Sequence, residues 1–376
     1  MPEVYDTDRV LAPVHDGSAL GIVRPVEFRH SAAERRKYLP VLGLFGTAGN
    51  PDEVYDWRAE TIPTIKERLA ERGITRAGIY NPLKREWRPE DAPEEAHNLA
   101  RDAVLLLPVL DLTSGHASLG ETGFAALGGT LRPQKIHMFI DRGLEKGVKV
   151  ARARNMTILM ATKTLSDFPV NVTMAKDMAS MVNGSIQDIA DFTESMSSRV
   201  LHENRYVIER RTDLDPRIAL VGSGASEYAD SWHRSMGTFL QNAEVSQAEQ
   251  YSAFVKDWTE DDALTELEHK TNDAVVLFVV TENQDSYAAM GELGWLVTYC
   301  VLNGQKLGVY VESHNSDPRS DQNRQRKLAM AHLGRHLLDF PDLPVFIANS
   351  PSELARYGAS ELAKYKQLQK ASRASV

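Results

Sequence analysis

The chain repeats itself, and the repeat limits what it can fold into more than any other feature. Trp87, Glu95, Asp102 and Glu121 return in the same order as Trp258, Glu266, Asp273 and Glu292, each pair 171 residues apart. Asp167-Phe168-Pro169 returns as Asp339-Phe340-Pro341 at 172, Trp57 as Trp232 at 175, and Gly46 as Gly222 at 176. A constant offset around one motif, drifting at its margins, is what duplication followed by loop change leaves behind. A chain of 376 residues exceeds one ordinary core and suits two domains.

Each copy alternates strand and helix. Short apolar runs at Val41 to Phe45 and Ile218 to Val221 end in Gly-rich turns, Gly46-Thr47-Ala48-Gly49 and Gly222-Ser223-Gly224-Ala225-Ser226, and a Trp-bearing helix follows each. Second strands are expected at Ala77 to Tyr80 and, more weakly patterned, near Ala243 to Ser246. The most apolar runs are Ala103 to Leu110 and Ala274 to Val280, followed by Ile136 to Ile140 and Leu307 to Val311, then Pro169 to Thr173 and Pro344 to Ala348. Continuous apolar runs predict strands buried on both faces, as in a parallel sheet covered by helices. The expected fold is α/β: two tandem flavodoxin-like or Rossmann-like doubly wound domains, each with a parallel sheet of about five strands. The reading divides the chain into an arm at 1–38, a first domain at 39–183, a connector at 184–214, a second domain at 215–365 and a tail at 366–376.

Hydrophobic residues make up 42% and charged residues 25%, a globular profile. The net charge of −9 argues against a general nucleic-acid surface, which needs clustered Lys and Arg, but permits a basic pocket for one nucleotide. Cys300 is the single cysteine, so an intrachain disulfide framework and a Cys-rich zinc site are excluded. The opening MPEVYDTDRV lacks the basic and apolar regions of a signal peptide, and the apolar runs are strand-length. A cytoplasmic protein without membrane contact is expected.

In both copies the central strand runs into a polar loop and then a Glu that opens a helix. The first reads Asp111-Leu112-Thr113-Ser114-Gly115-His116-Ala117-Ser118-Leu119-Gly120-Glu121, and the second ends Ser286-Tyr287-Ala288-Ala289-Met290-Gly291-Glu292. Ligands bind at the carboxyl ends of parallel strands in open α/β sheets. A Glu in the first helical turn is kept ionised by free N–H groups and the helix dipole, as a glycosyl nucleophile must be. The glycines nearby would let a sugar approach the backbone. Glu95 and Glu266, one or two turns before the same strand, would act as acid or base on the leaving group.

These residues resemble the nucleoside 2-deoxyribosyltransferase superfamily, which includes the deoxyribonucleoside 5′-monophosphate N-glycosidases. The first copy supplies Gly46, Trp57, Asn81-Pro82, Trp87, Glu95, Asp102 and Ser118-Leu119-Gly120-Glu121-Thr122-Gly123. The second supplies Gly222, Trp232, Trp258, Glu266, Asp273, Ser286 and Gly291-Glu292-Leu293-Gly294. The resemblance covers residues 40–180 and 215–360. It implies Glu121 and Glu292 as nucleophiles, Glu95 and Glu266 as the second acids, and Ser286 as a phosphate ligand, where the first copy has Gly115 flanked by Ser114 and Ser118. Gly46, Thr47, Trp57, Asn81, Trp87, Asp111, Ser118, Asn155, Gly222, Ser223, Trp232 and Ser286 make up the expected binding set. The family's first-strand Tyr is replaced by Gly43 and Ala219. Family members complete each site with a residue from a neighbouring subunit, and a tandem chain can do so internally, through Arg152-Ala153-Arg154-Asn155 and Arg324-Gln325-Arg326-Lys327.

The function so implied is cleavage or transfer of the N-glycosidic bond of a nucleoside or nucleotide, without metal or cofactor, in an intrachain pseudo-dimer open to further homo-oligomerisation. The alternative is a nucleotide-sensing or scaffold protein whose pocket, in one or both copies, binds without turnover. His332 and His336, four apart, lack a third ligand and are read as core or solvated residues. Cys300 is read as a buried small residue. The tryptophans divide evenly between stacking a base and packing the core rim.

Overall fold

The computed structural model describes residues 26–28, 41–47, 56–75, 77–84, 87–110, 115–132, 134–141, 148–168, 170–197, 201–203, 211–223, 229–253, 260–282, 284, 286–314, 317 and 320–374. In chain order the elements are β1 (Val26–Phe28), β2 (Val41–Leu44), α1 (Trp57–Glu71), β3 (Gly78–Tyr80), α2 (Ala92–Arg101), β4 (Val104–Val109), α3 (His116–Leu131), β5 (Lys135–Ile140), α4 (Val148–Asp167), β6 (Val172–Met174), α5 (Met178–Ser197) and β7 (Leu201–Glu203). The second half follows with β8 (Asp215–Gly222), α6 (Ala229–Asn242), β9 (Gln250–Ser252), α7 (Glu260–Asn272), β10 (Asp273–Val280), α8 (Tyr287–Asn303), β11 (Lys306–Val311), α9 (Asp321–Asp339), β12 (Val345–Ile347) and α10 (Pro351–Ala374).

Each half carries one five-stranded parallel sheet, ordered β3-β2-β4-β5-β6 and β9-β8-β10-β11-β12. Both are doubly wound, and the strand order reverses between β2 and β4 and between β8 and β10, which opens a crevice at the carboxyl edge. The central strands β4 and β10 are buried along their whole length, as their unbroken apolar runs require.

Three details differ from the sequence reading. The second strand of the second sheet is Gln250–Ser252; Ala243 to Ser246 form the turn after α6, where Val245 N–H donates to the Leu240 carbonyl. Helix α5 crosses residue 183 and buries Met181, Val182, Ile186 and Ile189 against Leu42, Leu44 and Val104, so residues 184–197 of the expected connector belong to the first half's helical layer. Helix α10 likewise runs past residue 365 to Ala374. Of the expected arm, Val26–Phe28 pairs antiparallel with Leu201–Glu203; the rest lies outside the described residues.

The halves meet through α3 and α8, both apolar around almost their whole circumference and therefore buried. The contact is backbone on backbone. A Cβ on Gly123 would lie 2.0 Å from the Trp295 nitrogen, and one on Gly294 2.7 Å from the Phe124 nitrogen. A Cβ on Gly120 would lie 2.9 Å from the Met290 carbonyl oxygen, and one on Gly291 3.3 Å from Leu119 Cβ. Under the 171-residue offset each contact is the mate of its partner, the self-complementary pattern of a two-fold interface. Thr298 Oγ1 donates to the Gly123 carbonyl (2.8 Å) and Trp295 Nε1 to Thr122 Oγ1 (2.8 Å). One apolar cluster runs through both halves, from Phe45, Leu105 and Phe124 to Phe278, Trp295 and Leu333. Each such large side chain contributes about 1.5–3 kcal/mol on burial.

Among the described residues no helix is long and apolar enough to cross a membrane.

Candidate functional site

The site is framed by the turns after β2 and β8. Gly46 (φ +87°) and Gly222 (φ +138°) adopt a backbone that side chains disfavour, and a Cβ there would meet the Pro108 or Val279 carbonyl oxygen at 2.4 and 2.0 Å. The next residues continue the match: Thr47 N–H donates to the Pro108 carbonyl (2.8 Å) and Ser223 N–H to that of Val279 (3.1 Å). Trp57 Nε1 donates to the Thr47 carbonyl (2.9 Å) and Trp232 Nε1 to that of Ser223 (2.8 Å). Both indoles are buried, at 1% and 6% exposure, so they pin the turns and have no face free for a base. Thr47 Oγ1 accepts from Leu110 N–H, and the Ser223 hydroxyl donates to Gln284 Oε1. The binding residues expected here therefore build the wall of the crevice. In the first half Arg58 strengthens it, donating to the carbonyls of Leu44, Gly46 and Thr47. Its place in the second half is taken by His233, which burial pushes down to about 3.

Glu121 and Glu292 are each the sixth residue of their helix, one turn deeper than the sequence suggests, because α3 and α8 already begin at His116 and Tyr287. No N-terminal N–H groups remain there to hold a carboxylate. The neighbouring glycines serve the crossing of α3 over α8. At Gly43, where the resemblance puts a Tyr, a Cβ would lie 2.5 Å from Asp102 Oδ2 and 2.6 Å from the Phe45 ring. There is no room for a side chain.

In the first half Glu95 and Glu121 are 3% and 5% exposed. Trp87 Nε1 donates to Glu95 Oε1 (2.7 Å), so this tryptophan does reach the site. Burial, and then the charge of Glu121, raise Glu95 to about 8, while the charge of Arg324 opposes the rise. Burial thus favours the protonated form of Glu95. Arg324 comes from α9 of the second half, and its guanidinium carbon sits 4.8 Å from the centre of the Trp87 ring. His332, also on α9, brings Nε2 to 3.7 Å from Glu121 Oε1. Burial and then the charge of Glu95 push the Tyr80 hydroxyl up.

The second half repeats the frame and changes the centre. Gln134 Nε2 donates to the carbonyls of Leu99 (2.9 Å) and Asp102 (2.7 Å), and Gln305 Nε2 to those of Lys270 (3.1 Å) and Asp273 (2.6 Å). Leu99 and Lys270 therefore hold equivalent places. Lys270, 2% exposed, donates to Glu266 Oε1 at 2.7 Å and Glu292 Oε2 at 2.9 Å, bridging the carboxylates that the first half leaves unbridged. Burial raises Glu292, and Lys270 pulls it back; Arg152, from α4 of the first half, adds a further lowering charge. Each site thus feels an Arg from the opposite half. Asp102, just ahead of β4, and Asp273, the first residue of β10, are raised by burial to about 7 and about 6.

Other expected site residues lie elsewhere. Asn81 is exposed and its Oδ1 caps a local turn at Leu83 N–H (3.0 Å). Asn155 is exposed on α4, one residue past Arg154, which is fully buried and donates to the carbonyls of Asp141 and Leu110. Arg326 mirrors it, binding the carbonyls of Thr281, Glu312 and Gln284 and the Ser286 hydroxyl. Ser286 is 1% exposed, and its hydroxyl accepts from Arg326 Nε (3.1 Å). Ser118 is buried on α3. Asp111, Trp258 and the ends of both Gly-rich turns lie outside the described residues. His332 and His336 are core histidines stacked near Phe124, and Cys300 is buried. A cavity of about 590 Å³ opens beyond β11 and β12, lined among others by His314, Arg326, Lys327, Asn349 and Pro89. It borders the α9 wall and contains neither carboxylate pair.

Sequence reasoning missed Lys270 and Tyr80 and set His332 aside as a core or solvated residue; it named the Arg152 and Arg324 stretches as reaching the opposite copy's site, and Arg324 does lie over Trp87. The 171-residue offset sets Lys270 against Leu99, but these helices share only Ala92/Ala263 and Glu95/Glu266 at that offset, so the change is not marked by the repeat itself. Compared with protein-family models and with curated proteins, the chain matches none.

Proposed function

We propose that the first half cleaves or transfers the N-glycosidic bond of a nucleoside or nucleotide, with Glu121 as nucleophile and Glu95 as the acid that protonates the departing base. The observation that supports this reading is the environment of Glu95. A buried carboxyl pushed toward its protonated form, beside a second carboxylate, is the division of labour that glycosidic chemistry requires. Glu121 Oε attacks the anomeric carbon, the C–N bond breaks, and its electron pair passes to the base nitrogen, which takes the Glu95 proton. Water or a second base then displaces the carboxylate. The N–H of Trp87 keeps the Glu95 carboxyl in one orientation, and Arg324 supplies positive charge at the rim. Base release from a panel of nucleosides and nucleoside 5′-monophosphates, compared between the wild type and Glu121→Gln, tests the assignment. Loss of release in the variant supports it, and equal release rejects it.

A binding role without turnover is favoured for the second half by the Lys270 bridge.

A further inference from the structure

Lys270 separates two sites that share their carboxylates and their glutamine brace. Both halves place a carboxylate on the helix before the central strand and another at the sixth position of the helix after it. Both hold the first of these helices by the same glutamine brace. In the first half the equivalent residue is Leu99, whose aliphatic side chain can neither neutralise nor bond a carboxylate. In the second it is an ammonium fixed by two charge-assisted hydrogen bonds of 2.7 and 2.9 Å. An ammonium there neutralises the carboxylate pair and ties Glu292 Oε2, drawing electron density from the carboxylate that attack on an anomeric carbon would use. Glu292 Oε1 is different: it is buried and has no hydrogen-bond partner among the described residues. A buried carboxylate oxygen left without a donor is costly, and a ligand hydroxyl is the group that would satisfy it.

We infer that the second half is a binding site for a ribosyl-type ligand, a nucleoside or its monophosphate, in which Lys270 prevents turnover by bridging Glu266 and Glu292 while Glu292 Oε1 receives a sugar hydroxyl. This rests on the catalytic reading of the first half and extends it. Replacing Lys270 by the residue of the first half restores the unbridged pair: Glu292 attacks the anomeric carbon, the C–N bond electrons go to the base nitrogen, and the proton comes from Glu266.

The test uses the full chain as wild type, Glu121→Gln, Glu121→Gln/Lys270→Leu and, as a second replacement of similar volume, Glu121→Gln/Lys270→Met. Base release and calorimetric stoichiometry are measured with 2′-deoxyadenosine and with its 5′-monophosphate, and folding is checked by circular dichroism. The expected results are two equivalents bound by Glu121→Gln with no release, and release regained at least tenfold in a folded double variant. One equivalent bound, or no regained release from either folded double variant while the wild type is active, overturns the inference. If the wild type releases no base, the catalytic reading of the first half fails, and stoichiometry alone decides the binding claim: two equivalents support it and fewer refute it.

Discussion

Arg324, on a helix of the second half, lies over the ring of Trp87 in the first, with 4.8 Å between the guanidinium carbon and the ring centre. The same indole donates to Glu95, so this buried carboxyl, the indole that holds it and the cation beside them come from both halves of the chain. Arg324 lowers the proton affinity of Glu95. Removing it with Arg324→Ala should lower kcat/KM about tenfold, the scale of a partly desolvated cation–π contact. It should also move the alkaline limb of the rate profile to higher pH. Loss of activity without that displacement would show that Arg324 only braces the fold.

The pH dependence of the wild type follows from Glu95. Its pKa is raised from 4.5 to about 8, so the acid form persists through neutrality and is lost above that value. Base release should fall as pH rises through about 8, a value that belongs to the coupled Glu95–Glu121 pair. Glu95→Gln should lower kcat by about a hundredfold or more and abolish this limb. The linkage to stability has the same sign. Between 4.5 and about 8 the folded chain binds more protons than the unfolded one, so this contribution is whole below 4.5 and is lost as pH rises through about 8. Urea unfolding across that range should show Glu95→Gln gaining on the wild type toward alkaline pH.

The glycines at the crossing of α3 and α8 carry the association of the halves. Gly123→Ala would place a methyl 2.0 Å from the Trp295 nitrogen and Gly294→Ala one 2.4 Å from the Gly120 carbonyl oxygen. Each should cost about 3 kcal/mol or more, because backbone cannot give way as a side-chain tip can. Gly237 on α6 is the contrast: a Cβ there meets only Gln250 Oε1 at 3.6 Å. Gly237→Ala should stabilise the chain by about 0.5–1 kcal/mol. Denaturant midpoints at constant slope check both signs.

The legibility of this chain depended on how local each signal was. Strands β4 and β10 are unbroken apolar runs, and Gly46 and Gly222 are turns that no other residue fits, so the doubly wound frame could be read directly. Strand β9, with the sequence Gln-Tyr-Ser, carries no apolar run and was placed too early, at the edge of the sheet where pairing on one side replaces burial. The carboxylates were found because they recur at one offset. Trp57 and Trp232 recur equally well, yet their N–H groups serve the backbone, since recurrence marks a shared role without saying whether it is chemical or structural. Nothing local in the sequence marks Lys270, because its partner Glu292 comes from a different helix. Arg324 and Trp87 are brought together only when the two halves close.

The central claim, that Glu121 is a nucleophile, is tested most directly by trapping it. A 2-fluoro-2-deoxy substrate analogue destabilises the transition state of the second displacement, so a covalent glycosyl–enzyme should accumulate. Intact-protein mass followed by peptide mapping should find the adduct on Glu121 and none on Glu292, whose Oε2 is bound by Lys270. Product of inverted anomeric configuration, with no adduct on Glu121, would contradict the account.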